Sequence, residues 1–479
     1  MGLPGEEVFE VGAVQPLGKG CKFAAAFCPS EEHFLAQPSG FQAPKKSDFF
    51  GAGESNDSTL VVDEALWERR WVREKMRATL RRLIYAKALP MHPVRSCRVR
   101  ALPSQVRGQP TGFSGNIELR HVDGEMTHRY HSIVYCRSLL ICPECAAQFG
   151  YVLRETVRAA VQRLLSAGYY CFMLTLTARH TREMLLAGIS QAFQEGRRWF
   201  FAHRIWKTIK QELGILGEFT ALEVTDDAPD APVEVQTGWH WHTHMLVFYR
   251  PANDFRGWFT DEYARSVERR LRKLWQKSLR RHGLDCSLEH GARLTLPRRK
   301  GIKMLTDAGA GFEGCDPASV QAAVEYISKG VLWEITGSLA ATKKGRKSQR
   351  ISMWEMLRRI ADGDMSLVPR YAEYMQAVRG RTFLRWSQGL KPFCGLPEDE
   401  AQLLEGAELE AGDVVDFEWT DQKFRSVARY AQATAIRRVA DDAAGAGKDA
   451  GEAVDRAMMY IDAGYSPFTG QRLDDIGGS

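Results

Sequence analysis

Three histidines alternate along a short stretch of the chain, at His240, His242 and His244. In a β-strand successive side chains point to opposite faces, so residues two apart share one face at a spacing of about 7 Å. The imidazole ring is a common ligand for divalent metals. Three imidazoles in strict alternation, in a chain with 12 histidines, therefore predict part of a metal site on one face of a strand.

A carboxylate on a neighbouring strand is the expected partner of these histidines. Glu223 lies in the middle of the otherwise apolar segment 219–225, where an unpaired carboxylate would be costly to bury. The Asp- and Pro-rich segment 226–232 is a loop that lets strand 219–225 pair with strand 239–249 as a long hairpin. Glu223 is therefore predicted as a metal ligand or as a partner of the ligands, and a salt bridge to an arginine is the alternative. His240 is the other candidate for the third ligand.

A phenol and a cation share one face of a predicted helix further along the chain. Asp316 and Pro317 begin this helix, and Lys329 lies one turn beyond Tyr326. A cation beside a phenol favours the phenolate, which is the form that can attack phosphorus. Glu325, adjacent to the tyrosine, is a further catalytic candidate. Such pairs are common on surface helices, so the meaning of this one depends on the histidines.

A cysteine-rich segment precedes these motifs. Cys136, Cys142 and Cys145 have the spacing of zinc ligands, and either Cys97 or His131 completes a tetrahedral set. The pattern predicts a structural Zn²⁺, and ordinary buried thiols are the alternative. The chain has 10 cysteines and no export signal at its N-terminus, so free thiols or metal ligands in a reducing cytoplasm are expected rather than disulfides.

The composition is that of a globular protein large enough for several hydrophobic cores. Of 479 residues, 44% are hydrophobic and 26% are charged, which argues against wholesale disorder and against a fibrous repeat. No apolar run approaches the roughly 18 residues of a membrane span, so no membrane partner is expected. The net charge is only +6, but basic residues cluster at 66–110, 265–303 and 343–350. These clusters suit a polyphosphate partner, although a charge run is more often just a solvated surface.

The predicted elements indicate an α+β fold, a central antiparallel sheet flanked by helices. Strands at 169–177, 219–225 and 239–249 stand among helices without regular βα alternation, and the near-continuous apolar run 169–177 predicts a strand covered on both faces. The helices are expected at 63–89, 146–167, 181–213 and 260–283. The expected organisation is a disordered leader (1–60), a basic helical/β N-terminal region (61–135), a cysteine knuckle and helix (136–167), a central core (168–335), a helical extension (336–397) and a separate acidic C-terminal region (398–479).

Several segments, in order, resemble the rolling-circle replication initiators of bacterial plasmids and phages, within the HUH endonuclease superfamily. Phe-Met-Leu-Thr-Leu-Thr at 172–177 looks like the first motif of that family, His-Thr-His at 242–244 like the histidine motif, and Glu-Tyr-Ile-Ser-Lys at 325–329 like the tyrosine motif. The cysteines at 136–145 match its cysteine knuckle, and 384–391 is similar to its Trp-Ser-x-Gly-Leu-Lys segment. Two positions depart from the pattern: Thr243 replaces a hydrophobic residue, and Ala322 stands where some plasmid members have an acid.

The resemblance implies a metal-dependent, site-specific single-strand DNA endonuclease and strand transferase that initiates rolling-circle replication, with residues 168–335 as its HUH nuclease core. Mg²⁺ or Mn²⁺ is then held by His242, His244 and a third ligand, and Tyr326 forms a 5′-phosphotyrosine link. The implied partners are single-stranded or supercoiled origin DNA, a host helicase and a host DNA polymerase in the cytoplasm of a bacterium. Basic side chains around the core are expected to contact phosphates, namely Arg269, Arg272, Lys273, Arg298, Arg299 and Lys300.

Two other functions fit the same residues. A transposase or mobilisation relaxase of the same superfamily would perform identical chemistry at a different DNA site. A non-catalytic, zinc-stabilised nucleic-acid-binding protein would use the histidines for structural zinc, and Tyr326 would stack on a base. The absence of a second cysteine pair near the histidines in the sequence weighs against this last interpretation.

Overall fold

The computed structural model describes most of the chain between residues 64 and 473. The described residues are 64–98, 102–106, 109–122, 125–131, 134–233, 236–250, 261–288, 291–295, 350–397, 419–420, 427, 432–445, 449–468 and 471–473. All of them belong to the unit that spans residues 44–479. The predicted leader 1–60 and the predicted tyrosine helix lie outside the described residues.

The elements follow one another without regular alternation of strands and helices. The strands are β1 (Leu102–Val106), β2 (Gln109–Val122), β3 (Glu125–His131), β4 (Tyr170–Thr177), β5 (Ile215–Asp227), β6 (His240–Tyr249), β7 (Ala292–Thr295), β8 (Arg350–Ser352), β9 (Leu384–Trp386) and β10 (Trp419–Thr420). The helices are α1 (Glu64–Tyr85), α2 (Pro143–Ser166), α3 (Leu186–Ala202), α4 (Arg204–Leu213), α5 (Asp261–Arg281), α6 (Met353–Ala361), α7 (Val368–Ala377), α8 (Leu390–Phe393), α9 (Ala433–Gly445) and α10 (Ala450–Asp462).

The histidine strand β6 is the middle strand of a six-stranded sheet. The order is β7-β4-β6-β5-β8, and β9 also pairs with β5. Every pairing in this sheet is antiparallel, and β5 and β6 form the predicted long hairpin. An antiparallel sheet with helices packed against it confirms the predicted α+β class.

The face of the sheet opposite the histidines carries an aromatic core. Phe193 of α3 lies 6.5 Å from Trp241 of β6 and 5.0 Å from Trp275 of α5, measured between ring centroids. The Trp275 indole N–H also donates a hydrogen bond to the Thr177 carbonyl oxygen at 2.9 Å. Each of these buried rings contributes roughly 2–3 kcal/mol of hydrophobic stabilisation. Helices α3 and α5 therefore hold this side of the sheet and leave the histidines on the other.

The histidine face is more open than the sequence predicted. Leu174 and Leu176 of β4 are buried, but Met173, Thr175 and Thr177 are only half-buried. The prediction of a strand covered on both faces was therefore wrong for this part of β4. The alternation of threonine with leucine gives the physical reason, since the hydroxyls lie on the histidine face.

Another prediction that differs from the structure is the single helical stretch over 181–213. The structure has two helices, α3 and α4, separated at His203. The His203 Nδ1 atom accepts a hydrogen bond from the Ile205 backbone N–H at 3.1 Å and so caps α4. A capping side chain satisfies a donor that the first turn of a helix leaves unpaired, which stabilises a new helix start here.

The segment 336–397 contributes to the same sheet as the histidines. Strands β8 and β9, which follow residue 335, both pair with β5. Arg370 of α7 binds the buried Asp226 carboxylate of β5 through two hydrogen bonds of 2.6 and 2.8 Å. The predicted domain boundaries remain predictions, but the central sheet includes strands from both sides of residue 335.

A second group of elements lies outside the six-stranded sheet. Strands β1, β2, β3 and β10 form a smaller sheet, in which β2 pairs with the other three. Helices α9 and α10 share a small core that includes Ile436 and Val454. The Thr434 N–H of α9 donates to the buried Glu74 carboxylate of α1 at 2.6 Å, so α9 is attached to α1.

Among the helices that the structure describes, none has the length and apolar character needed to cross a membrane.

Candidate metal centre

Three adjacent strands bring the candidate ligands together on one face of the sheet. Directly paired residues in an antiparallel sheet have side chains on the same face. His242 of β6 pairs with Glu223 of β5, and His244 pairs with Thr175 of β4. The alternation of the histidines and the register of two strand pairs therefore place four polar side chains side by side.

The ligand atoms of Glu223, His242 and His244 converge. Their ligand atoms all lie within 4.8 Å of one another. The His244 Nε2 atom lies 2.7 Å from Glu223 Oε2, and His242 Nε2 contacts the same oxygen. The three side chains are 14%, 10% and 21% exposed, so the group is sheltered by the sheet but still reachable from solvent.

The other ring nitrogen of each histidine also has a partner. His242 Nδ1 lies 2.9 Å from His240 Nδ1, and His244 Nδ1 lies 3.0 Å from Thr175 Oγ1. With Nδ1–H donating to these partners, the Nε2 lone pairs face the Glu223 carboxylate, whereas with Nε2–H the ring donates to that carboxylate. The first tautomer directs two lone pairs and a carboxylate oxygen at one point, which is the arrangement that a bound cation needs.

His240 lies beside this group rather than in it. Its Nδ1 atom faces His242, and its ring packs edge-on against the His180 ring at 5.1 Å. Burial, with smaller effects from the nearby His242 and Arg350, lowers the pKa of His240 to about 3. A neutral His240 can accept the His242 Nδ1–H. The structure thus places Glu223, and not His240, with the two other candidate ligands.

The residues present fit a divalent metal ion. Two imidazole nitrogens and one carboxylate oxygen form a mixed donor set that divalent metals accept. The hydrogen bonds from His240 and Thr175 are the kind of outer contacts that orient metal-bound histidines. The group can therefore hold a metal, with coordination positions left for water or a substrate oxygen.

The remaining predicted site residues fall into two sets. Tyr326, Lys329 and Glu325 lie outside the described residues, as do the predicted DNA contacts at 298–300. Arg269 and Lys273 are exposed on α5, and Arg272 of the same helix binds the Ala292 carbonyl oxygen and Glu268. Since α5 packs on the aromatic face, these three side chains lie across the sheet from the histidines.

A second candidate metal group is formed by Cys97, Cys136, Cys142 and Cys145. The Sγ atoms of Cys97 and Cys145 are 3.5 Å apart, and two other pairs are 3.6 Å apart. Tetrahedral zinc with Zn–S bonds of about 2.3 Å separates its sulfur ligands by about 3.8 Å. Burial, together with the neighbouring cysteines, raises the pKa of the Cys142 thiol well above its usual value. A bound metal ion would offset this and hold the sulfurs as thiolates.

The cysteine group is anchored to two helices. Cys142 precedes α2 and Cys145 lies in its first turn, which begins at Pro143. Arg77 of α1 donates to the Cys97 carbonyl oxygen at 2.9 Å, and Arg98 pairs with the buried Glu144 carboxylate. The cysteine group therefore links α1 to the start of α2. This location suits a site that stabilises the fold.

Sequence reasoning missed the role of Thr175. This residue was part of the segment 172–177 that resembles a family motif, but nothing assigned it a contact. Its signal was the polar alternation of Thr175 and Thr177 in an otherwise apolar strand. The missing information was the register of β4 against β6, which sets Thr175 opposite His244.

Comparison with known proteins gives one distant relative. The chain is similar to a protein of Streptomyces lividans described as "Protein rep", with 24% identical residues over 383 residues. The similarity covers 67% of this chain and 77% of the relative. No protein-family model matches the chain, and no solved structure matches it.

Proposed function

We propose that this protein is a metal-dependent, site-specific single-strand DNA endonuclease and strand transferase that initiates rolling-circle replication. The observation that carries the proposal is the convergence of Glu223, His242 and His244 on one face of the sheet. The similarity to "Protein rep" supports a replication role. The order of the sequence motifs, which resembles that of the HUH endonucleases, supports the same assignment.

The metal that we assign to this group is Mg²⁺ or Mn²⁺. A bound divalent cation would polarise the scissile phosphate and stabilise the charge that develops on its oxygens. Glu223, His242 and His244 would hold it, while His240 and Thr175 would keep the two imidazoles in the correct tautomer and orientation. Thr175 and Thr177 on this face of β4 are only half-buried, so among the described residues the group is not covered by packed side chains on that side.

Tyr326 is the proposed nucleophile. Its phenolic oxygen loses its proton and forms a bond to the phosphorus, the bond from phosphorus to the 3′-oxygen breaks, and that leaving oxygen takes up a proton, so the step is balanced. Lys329, one helical turn away in the sequence, favours the ionised phenol. Glu325 remains a further catalytic candidate. The products are a 5′-phosphotyrosine and a free 3′-OH.

The covalent link preserves the energy of the phosphodiester. A 3′-OH that attacks the phosphotyrosine restores a DNA phosphodiester and releases the phenol, so no nucleotide cofactor is consumed. The free 3′-OH left by the first step can be extended by a polymerase. We therefore propose origin DNA, single-stranded or supercoiled, as substrate and a host helicase and DNA polymerase as partners, in the cytoplasm of a bacterium.

Zinc is the ion that we assign to the cysteine group. Four sulfurs at tetrahedral separations are typical of structural zinc sites, which leave no open coordination position. The carboxylate in the histidine group distinguishes it from this closed cysteine site. We therefore propose that zinc at the cysteine group stabilises the fold and that the metal at the histidine group takes part in DNA cleavage.

Covalent capture of DNA tests the proposal. The full chain is incubated with supercoiled replicon plasmid or its denatured strand and Mn²⁺, and protein-linked DNA is separated in denaturing gels. We expect a DNA–protein adduct that disappears in Tyr326→Phe and persists in Tyr85→Phe, a change at an exposed tyrosine of α1. An adduct of wild-type yield in Tyr326→Phe would remove Tyr326 from its role.

A second variant tests whether cleavage requires the metal. In His242→Ala we expect cleavage to fall by about a thousandfold or more, with little change in DNA binding, because the lost interaction acts on the transition state. DNA binding without any cleavage by the wild-type chain would favour the zinc-stabilised binding protein. Cleavage at a transfer origin or a transposon end, with none at a replication origin, would favour the relaxase or transposase.

A further inference from the structure

An arginine shares the histidine face of the sheet at the end of a row that crosses three strands. Arg293 of β7 pairs with Thr175 of β4, and Thr175 pairs with His244 of β6. Because directly paired residues share a face, the three side chains form one line across the sheet. At a strand spacing of about 4.8 Å, the Cα atoms of Arg293 and His244 are about 10 Å apart.

The flanking residues of β7 confirm the direction of this side chain. Ala292 is buried and pairs with Leu176, which lies on the aromatic face. Leu294 pairs with Leu174, which is buried and lies on the same face as Leu176. Arg293, between these two residues, is exposed and directed to the other side, where the candidate metal ligands lie.

The charge of Arg293 is not neutralised within the described part of the chain. Its guanidinium makes no hydrogen bond or ion pair with any described residue, whereas Arg272 and Arg270 each bind a glutamate. An uncompensated cation beside a site for a phosphodiester is suited to a non-bridging phosphate oxygen, because a guanidinium presents several donors in a fixed fork.

A simpler explanation is protection of a sheet edge. Strand β7 is the last strand in the described order of the sheet, and charged side chains on edge strands discourage pairing with other molecules. That explanation requires only a charge anywhere on β7. It gives no reason for the arginine to occupy the position that continues the row of Thr175 and His244.

We propose that Arg293 binds a backbone phosphate of the DNA strand that lies on the histidine face, next to the phosphate at the metal group. This inference rests on the proposed function and specifies a DNA contact for it. Arg293 then positions the strand relative to Glu223, His242 and His244. It is a binding residue and makes no covalent contribution to cleavage.

The salt dependence of DNA binding tests this inference. Binding of a fluorescein-labelled oligothymidylate to the full chain is measured by fluorescence anisotropy over a range of NaCl concentrations, with Mn²⁺ present and Tyr326→Phe as background. Each phosphate contact contributes about 0.7 to the slope of log affinity against log salt for single strands. Arg293→Gln should make the slope shallower by about 0.7, and Arg293→Lys should keep most of it.

A matched control removes the same charge on the other side of the sheet. Arg204, the first residue of α4, is exposed, and α4 packs with the aromatic core through Trp206 and Phe200. We expect Arg204→Gln to leave the slope unchanged. Arg293→Gln should also leave Mn²⁺ affinity unchanged, which separates loss of a phosphate contact from damage to the metal group.

The outcomes for this inference and for the proposed function are distinguishable. A slope in Arg293→Gln equal to that of Arg204→Gln would overturn the inference, even if Tyr326-dependent cleavage is observed. Cleavage that persists in the Tyr326→Phe background would overturn the proposed nucleophile and leave the measured slope change intact. A shallower slope in Arg293→Gln, restored by lysine, supports the phosphate contact.

Discussion

The hydroxyl of Thr175 is predicted to set the metal affinity of the histidine group. Its Oγ1 atom lies 3.0 Å from the Nδ1 atom of His244. Thr175→Val removes this hydroxyl and puts a methyl group in its place, so the side chain keeps its branched shape and its preference for a strand. The change therefore removes one hydrogen bond and little else.

The size of the effect follows from the burial of His244. Leaving a buried donor without its partner costs about 1–3 kcal/mol. The His244 side chain is 21% exposed, so water offsets part of this loss and the lower half of the range, about 1–2 kcal/mol, applies. Loss of an orienting partner typically weakens a metal site by about 10- to 100-fold, or about 1.4–2.7 kcal/mol. The two ranges overlap at about 1.4–2 kcal/mol, which is roughly a 10- to 30-fold weaker Mn²⁺ site.

Isothermal titration of Mn²⁺ into the zinc-loaded full chain measures this affinity. Thr177→Val is the matched control, because Thr177 is half-buried on the same face of β4 and its hydroxyl has no hydrogen-bond partner among the described residues. We expect the control to bind Mn²⁺ like the wild type. Equal Mn²⁺ affinities for Thr175→Val and Thr177→Val would refute the assignment of Thr175 as the residue that orients His244.

Three further variants test other parts of the structure. Cys97→Ser should lower the zinc content from one ion per chain to nearly none in elemental analysis, whereas the control Cys171→Ser should retain its zinc. Zinc retained in Cys97→Ser would contradict the four-cysteine site. His240→Phe keeps an aromatic ring but removes the acceptor for His242, so titration should show Mn²⁺ binding weakened about tenfold or more, and an unchanged affinity would exclude this contact. Arg370→Ala leaves the buried Asp226 carboxylate without its arginine partner and should lower the free energy of unfolding in urea by about 3–5 kcal/mol. A loss below about 1 kcal/mol would contradict this and show that water solvates the Asp226 carboxylate.

The sequence was sufficient for the histidine strand and its partner strand. The spacing of two between His240, His242 and His244 is the period of a strand, and it predicts that the three side chains share one face. An ionisable Glu223 in an apolar strand predicts that its carboxylate has a partner. The structure confirms that the two strands pair. The register could not be derived, because a loop of about a dozen residues permits several alignments and each one-residue shift moves the side chains to the other face.

Contacts between distant segments were harder to infer. Arg293 lies in a strand of four residues, too short to give a periodic signal, and its position opposite Thr175 depends entirely on tertiary pairing. Cys97 was one of two candidates for the fourth zinc ligand, since nothing local to it in the sequence distinguishes it from His131. His240 was included among the ligand candidates because alternation shows which face a side chain occupies but not which ring nitrogen is available.

The position of a bound metal ion tests the central claim most directly. Anomalous scattering from crystals of the full chain soaked in Mn²⁺ locates manganese without reference to activity. We predict a peak between the Glu223 carboxylate and the Nε2 atoms of His242 and His244, with the Nδ1 atoms still directed at His240 and Thr175. Manganese bound elsewhere with none at this group, or bound through the Nδ1 atoms, would contradict the account.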